Sequence, residues 1–478
     1  MTDSNANKNF SRNSSKRFCS WGIPLIIAFS YGVLAIQADL RLSIATLVGA
    51  SAFIMALLSV ALYLGETTGL SWSPRTIILT AIAFRLMFLF RSLELSDDIY
   101  RYLWDGLTVL HGNNPYVFAP ADAKLVATNS AELLSQVNHP QLVTIYPPAA
   151  QIVFAIGAFF GGILGIKAVL VALDIAVCVV ILRILSQLNM RPSRAVLYAW
   201  HPLPILEVAS SGHIDGAGIL FLMLAFMTLI PPRQAPNVPV TNNRLASVVA
   251  GLAFSVAVLV KLFPLVFLPA FLFLSGRKGM RPFILGAVIG TAALLIPFLP
   301  GLYNIFTTLD VYVRNWEFAG FAFRSLREIF LSGTIARQIL AVVFLFITAS
   351  LYVSLFRKQN PAQGVHPSFQ FPEVFWTVYG IALVFLLLTP TLHPWYALYL
   401  ACLLPFVPGA AGLVLTWAVL LSYRVLIDFT LLGTWRENDS VPAIIWAATV
   451  GTLILSWIAK GSKFDFYRRV LPSSRSTS

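Results

Sequence analysis

Charge is scarce in this chain. Only 11% of its 478 residues are charged, and Asp and Glu together number 20. That composition does not suit a water-covered globular surface. Cysteine is nearly absent. Cys19, Cys178 and Cys402 lie in or beside apolar segments. They supply neither a metal-ligand spacing nor a disulfide framework. No internal repeat is visible. No small-residue cleavage site follows the first apolar run, so that run is expected to be retained as a span.

What remains is hydrophobic. Residues of that type make up 58% of the chain, and they fall in about 15 apolar segments, many long enough to span a bilayer. The chain therefore reads as an all-α polytopic integral membrane protein. The net charge of +13 does not indicate a nucleic-acid partner, because Lys and Arg collect at span ends as the positive-inside rule requires. Residues 1–20 are expected to form a disordered cytoplasmic tail, 21–459 a transmembrane domain, and 460–478 a second cytoplasmic tail. Arg277, Lys278, Arg281, Arg357 and Lys358 are expected on the cytoplasmic side. The long segment 93–146 then falls outside.

Parity is the difficulty. Apolar segments at 147–165 and 166–187 cannot both cross if Arg191 and Arg194 are to lie inside. Either one of them fails to cross, or the count is off there. Further spans are expected at 195–211, 262–276, 282–299 and 395–408, among others.

The 93–146 loop is too long for a connector. Its stretch from Asp98 to Leu110 has helical periodicity, and His111-Gly112-Asn113-Asn114-Pro115 reads as a helix stop. This predicts a helix lying in the interface, with Tyr100, Tyr102 and Trp104 at headgroup depth.

Five polar clusters fall at or near external span ends. They are Asp97, Asp98, Arg101 and Asp105; Tyr146-Pro147-Pro148; His201-Pro202 with Glu207, His213 and Asp215; Lys261 through Pro264; and His393-Pro394-Trp395-Tyr396 with Tyr423, Arg424 and Asp428. Each has a structural reading. Asp97 and Asp98 suit a helix cap. His213 and Asp215 suit a hydrogen-bonded pair. Lys261 suits snorkelling to headgroups, and His393 beside Pro394 suits a helix break. Glu207 lies within an apolar segment and needs a partner. Taken together, a carboxylate base, several cations and aromatic walls fit a reaction between a neutral hydroxyl and a substrate with an anionic leaving group. They fit a metal cage less well.

The motifs Ser96-Asp97-Asp98-Ile99-Tyr100-Arg101-Tyr102-Leu103-Trp104-Asp105-Gly106 and Gly112-Asn113-Asn114-Pro115-Tyr116 resemble the first external loop of bacterial GT-C glycosyltransferases. Ile145-Tyr146-Pro147-Pro148, Trp200-His201-Pro202-Leu203, Gly212-His213-Ile214-Asp215-Gly216, Lys261-Leu262-Phe263-Pro264 and His393-Pro394-Trp395-Tyr396 extend the resemblance. It is to enzymes of the polyprenol-phosphate-mannose mannosyltransferase type, and more distantly to the GPI mannosyltransferase I catalytic subunit. Two departures stand out. Two further spans precede the acidic loop, and the acids are adjacent where the eukaryotic enzymes space them as Asp-x-Asp.

The apolar segments predict roughly 13–14 transmembrane helices, and the resemblance implies that they form a GT-C-like bundle with interfacial helices in the external loop. It implies a multi-pass protein of the bacterial inner membrane, with its active site outside. A hexose, with mannose favoured, would pass from a polyprenyl-phosphate-sugar to a hydroxyl of a glycolipid or glycan, with inversion. Asp98, or alternatively Asp97, would be the base. Lys261, Arg101, Arg424 and His393 would hold the donor phosphate. Glu207, His213, Asp215, Tyr146, Trp395 and Tyr396 would bind sugar or acceptor. No cofactor would be obligatory, although a divalent metal stays open. Besides these substrates, the expected partners are membrane lipids. The main alternative is a transporter or flippase of a lipid-linked or polar substrate, which should scatter its polar residues near the midplane. A non-catalytic assembly factor is a further alternative.

Overall fold

The computed structural model describes residues 21–126, 129–231, 244–357 and 370–460. The two expected tails and Lys358 lie outside those residues, apart from Lys460 at the end of the last helix. The protein is all-helical, and no β-strand occurs among the described residues. Seven helices are long and apolar enough to cross a membrane, and the four shorter apolar ones are Trp21–Ala35, Pro148–Phe159, Asp215–Leu229 and Arg244–Val260.

The roughly 13–14 crossings expected from sequence are thus not all continuous helices. The expected span 195–211 is a broken segment of short turns ending in a π-helix, Ile205–Ser210. The expected span 395–408 is likewise broken, into Pro394–Ala397, Leu398–Ala401 and a run of turns. Prolines 202, 204 and 394 withhold backbone donors at these breaks. Conversely, Leu268–Leu295 looks like one helix but is two, meeting where Gly276 adopts φ 62° and ψ 175°. The expected spans 262–276 and 282–299 meet at that glycine.

Polar contacts mark the two ends of the bundle. At one end, Arg91 donates to the Ala35 carbonyl (2.6 Å) and Glu94 accepts from the Leu40 amide (2.7 Å). At the other end, Arg194 pairs with Glu66 (2.9 Å), and Arg191 donates to the Gly65 carbonyl. The helix Gly162–Gln187 runs between them. Near its start, Lys167 donates to the Phe88 and Arg91 carbonyls (3.2 and 2.9 Å). Just past its end stands the Glu66–Arg194 pair. Inside the bundle, Arg85 and Asp174 form a fully buried ion pair at 2.6 Å. Tyr198 also donates to Asp174, at 2.5 Å.

This geometry bears on the parity of the 147–187 stretch. Pro148–Phe159 has 12 residues, so it is about 18 Å long against a hydrocarbon core of about 30 Å. It is too short to span alone. It packs instead on the Asp98–Leu110 helix, so closely that a Cβ on Gly106 would lie 2.4 Å from the Phe154 carbonyl oxygen. Phe160, Gly161 (φ 118°) and Gly162 (φ 61°) then turn the chain into Gly162–Gln187.

The loop helix spans Asp98–Leu110, as the periodicity predicts, and Gly112 (φ 74°) follows its C-terminus. Two of its aromatic residues are covered by protein rather than open to headgroups, however. Tyr102 stacks on Phe154 (4.3 Å between centroids), and Trp104 is buried with Leu125 and Val137. The cause is cover: Pro148–Phe159 and the short helices Ala123–Val126 and Ala131–Ser135 enclose it. The loop also meets a second one. Asn114 donates to the Pro300 carbonyl (2.7 Å), and Asn304 donates to the Tyr116 carbonyl (2.8 Å).

Candidate active site

The polar clusters separated in sequence converge. Asp98 begins its helix, one residue after the N-cap Asp97. Asp97 is exposed and makes no side-chain cap bond. Asp98 turns inward. Its Oδ2 accepts from the Tyr146 hydroxyl at 3.4 Å and stands 3.8 Å from His213 Nδ1. The opposite ring nitrogen of His213, Nε2, lies 3.5 Å from Glu207 Oε2. Both oxygens of Glu207 accept from the Tyr423 hydroxyl at 2.9 Å. His213 and Glu207 are fully buried, whereas the Asp98 side chain keeps 29% of its surface open.

Local backbone geometry makes this possible. Gly212 has φ 76°, and a Cβ there would meet Ile99 Cδ1 at 2.6 Å. Only glycine lets the chain pass beneath the Asp98 helix and present His213 to it. The π-helix at Ile205–Ser210 widens the turn that carries Glu207, an irregularity common at functional sites.

Lys261 completes the arrangement. Its Nζ is 2.7 Å from Asp215 Oδ1 and 4.6 Å over the Tyr396 ring, and its side chain is 23% exposed. Tyr396 shares a 2.5 Å hydroxyl contact with Tyr312 from the second loop. One wall is an aromatic stack. His213 lies on Trp395 (3.9 Å), Trp395 on His393 (4.3 Å) and His393 on Phe318 (4.9 Å).

Electrostatics follow from burial. Surrounding protein, and next the charge of Asp97, push the Asp98 carboxyl up to about 7, while Lys261 opposes the rise. Asp98 is therefore poised to exchange a proton near neutral pH. Burial holds the His393 ring down to about 3, so it offers a polar edge but no positive charge. Burial likewise keeps Tyr146 a neutral phenol donor.

The expected residues thus divide. Asp98, Tyr146, Glu207, His213, Asp215, Lys261, His393, Trp395 and Tyr396 form one contiguous cluster. Asp97 borders it from the surface. Arg101 does not reach into it, because it is tied to Asp105 (2.9 Å) and to the Leu142 carbonyl (3.0 Å). Arg424 pairs at 3.4 Å with Asp428 on its own helix. His201 is structural, accepting from the Leu203 amide and contacting Thr416, each at 3.0 Å. Among the described residues, no three His, Cys, Asp or Glu side chains gather to hold a metal ion.

Sequence reading missed the roles of Tyr423, Tyr312 and Phe318. Tyr312 and Phe318 lie in 300–334, where sequence reading places neither a span nor a site residue. The amphipathic pattern of Asn304–Asn315 was the available signal. The Arg85–Asp174 pair was also overlooked, although charges inside expected spans are a signal in themselves.

No curated protein and no solved structure matches the chain at a significant level. A family model does match. The alpha-(1->6)-mannopyranosyltransferase N-terminal domain covers residues 12–277, a range that holds Asp98, Tyr146, Glu207, His213, Asp215 and Lys261. More than half of the sequence is matched, so the chain belongs to the alpha-(1->6)-mannopyranosyltransferase family and is a multi-pass membrane glycosyltransferase that transfers mannose.

Proposed function

We infer that the enzyme takes mannose from a polyprenyl-phosphate donor and attaches it to a glycan or glycolipid hydroxyl in one inverting displacement at the external membrane face. The observation that carries this reading is the pairing of functions in one cluster. Asp98 is a partly open carboxylate poised near neutrality, and Lys261 is a partly open ammonium whose charge acts on it.

Asp98 accepts the proton of the attacking hydroxyl as the oxygen bonds to the anomeric carbon. The bond from that carbon to the phosphate oxygen breaks, and the lipid phosphate leaves with the electron pair. Lys261 meets the negative charge that grows on that oxygen. Asp215 holds Lys261 in place, and Tyr396 lies beneath its ammonium. Trp395 and Tyr396 offer aromatic faces to the sugar. One displacement inverts the anomeric centre, so the alpha product of the family requires a beta-linked donor. A single protein cation suits a monophosphate leaving group, and the reaction needs no metal.

The test supplies membranes containing the protein with radiolabelled polyprenyl-phosphate mannose as alpha or beta anomer. An octyl alpha-(1->6)-linked mannose disaccharide serves as acceptor, with and without chelator. Transfer from the beta anomer alone, unchanged by chelator, supports the reading. Transfer from a nucleotide-sugar instead, or loss of activity on chelation, overturns the donor or the metal-free step respectively.

A further inference from the structure

His213 sits in an unusual position for a buried imidazole. It is fully buried, and neither ring nitrogen has a hydrogen-bond partner in the resting geometry. Leaving such groups unpaired is costly. The stack on Trp395 fixes the plane of the ring. That plane aims one nitrogen at Asp98 (3.8 Å) and the other at Glu207 (3.5 Å). Glu207 is fastened from behind by Tyr423. Asp98 is the member of this row with a substantially open side chain.

We propose that His213 and Glu207 do not bind sugar but act through Asp98, as a buried extension of the base. This rests on the reading of Asp98 as the proton acceptor. In the reaction the acceptor O–H bond breaks and its proton goes to Asp98 Oδ2. The neutral ring of His213, held in plane by Trp395 and backed by Glu207, sets that carboxyl facing the acceptor. After the product leaves, the proton departs from Asp98 to water through its open edge. No oxidant, reductant or further reactant is required.

The ring stays neutral in this role. Asp98 and Tyr146 face one edge of it, and Glu207 and Tyr423 the other. Full burial and the nearby Lys261 cation disfavour a charge on it. His393 lies beyond Trp395 as an uncharged ring.

The experiment measures transfer over pH 5.5–9 with the beta-linked donor and the disaccharide acceptor. It compares the full-length wild type with His213→Asn, Glu207→Gln and the double variant. Each single change is expected to lower kcat by about 10²-fold with the KM of both substrates unchanged. The alkaline plateau should fall and the midpoint near pH 7 should move in both. The double variant should lose no more than the worse single one, since the residues act as one unit.

A rise in KM at constant kcat would place His213 or Glu207 on the substrate and overturn the proposal. Multiplicative losses in the double variant would do the same, as would normal turnover in either single variant. If His213→Asn does not accumulate, Glu207→Gln decides alone, because Tyr423 can still donate to the amide oxygen. Failure of the underlying reading looks different: Asp98→Asn would then keep its activity.

Discussion

The decisive perturbation is the pair Asp97→Asn and Asp98→Asn. Each swap is nearly isosteric and removes one carboxylate. Asp98→Asn deletes the proton acceptor, so transfer should fall by about 10²–10⁴-fold at unchanged expression. Asp97 is exposed and makes no side-chain cap bond, so its replacement should leave folding intact. The pH profile carries the finer test. The active form of a base is the carboxylate, so the rate should climb as pH rises through the Asp98 value of about 7 and level off above it. The carboxylate fraction therefore grows from a minority at pH 6 to a majority at pH 8, and the rate should rise severalfold between them. Part of the elevation comes from the negative charge of Asp97. Asp97→Asn should therefore move the rising limb to lower pH and leave the plateau unchanged. The assay is initial-rate transfer from the labelled lipid donor in buffers of constant ionic strength. A lost plateau in Asp97→Asn with normal turnover in Asp98→Asn would shift the base by one residue. Near-normal rates in both would refute the catalytic role of the acidic loop.

Three other outcomes are expected. Lys261→Met should lose most transfer with little loss of donor binding, and Lys261→Arg should also be impaired, because the planar fork does not fit the slot between Asp215 and the Tyr396 ring; matched kinetics and donor-binding measurements check this. Arg85→Met should destabilise the protein by about 3–5 kcal/mol by leaving buried Asp174 without its cation. Thermal unfolding in detergent reads that loss, and Arg85→Met combined with Asp174→Leu should recover part of it. Cysteines placed at Asn113 and Lys278 in a Cys19→Ser protein should label from opposite sides of the membrane with an impermeant reagent, against a low background from the buried Cys178 and Cys402; labelling of both from one side would overturn the external site.

Much of this protein was legible before folding. A membrane class follows from composition, because long apolar runs with few charges have one stable solvent. The Asp98–Leu110 helix follows from periodicity and a glycine stop. The polar clusters stand out because charge in such a chain is expensive to bury and so marks sites. Periodicity could not tell that Pro148–Phe159 is too short to span alone, since apolarity does not reveal where a helix turns back. Nor could it show that two apolar segments are broken helices, or that Tyr102 and Trp104 are covered by protein.

What only the tertiary structure decided is which polar residues meet. Sequence spacing treats Arg101, Arg424 and Lys261 as equivalent cations. Packing ties Arg101 to Asp105 and Arg424 to Asp428, and leaves Lys261 beside Asp215 in the cluster. It sets Asp98 and Glu207 on either side of His213, although the two acids are separated by several helices along the chain. Residue types and their local order are properties of the sequence. The distances between groups that set charge, proton affinity and reach are properties of the packed bundle, because electrostatic coupling depends on separation and burial in space.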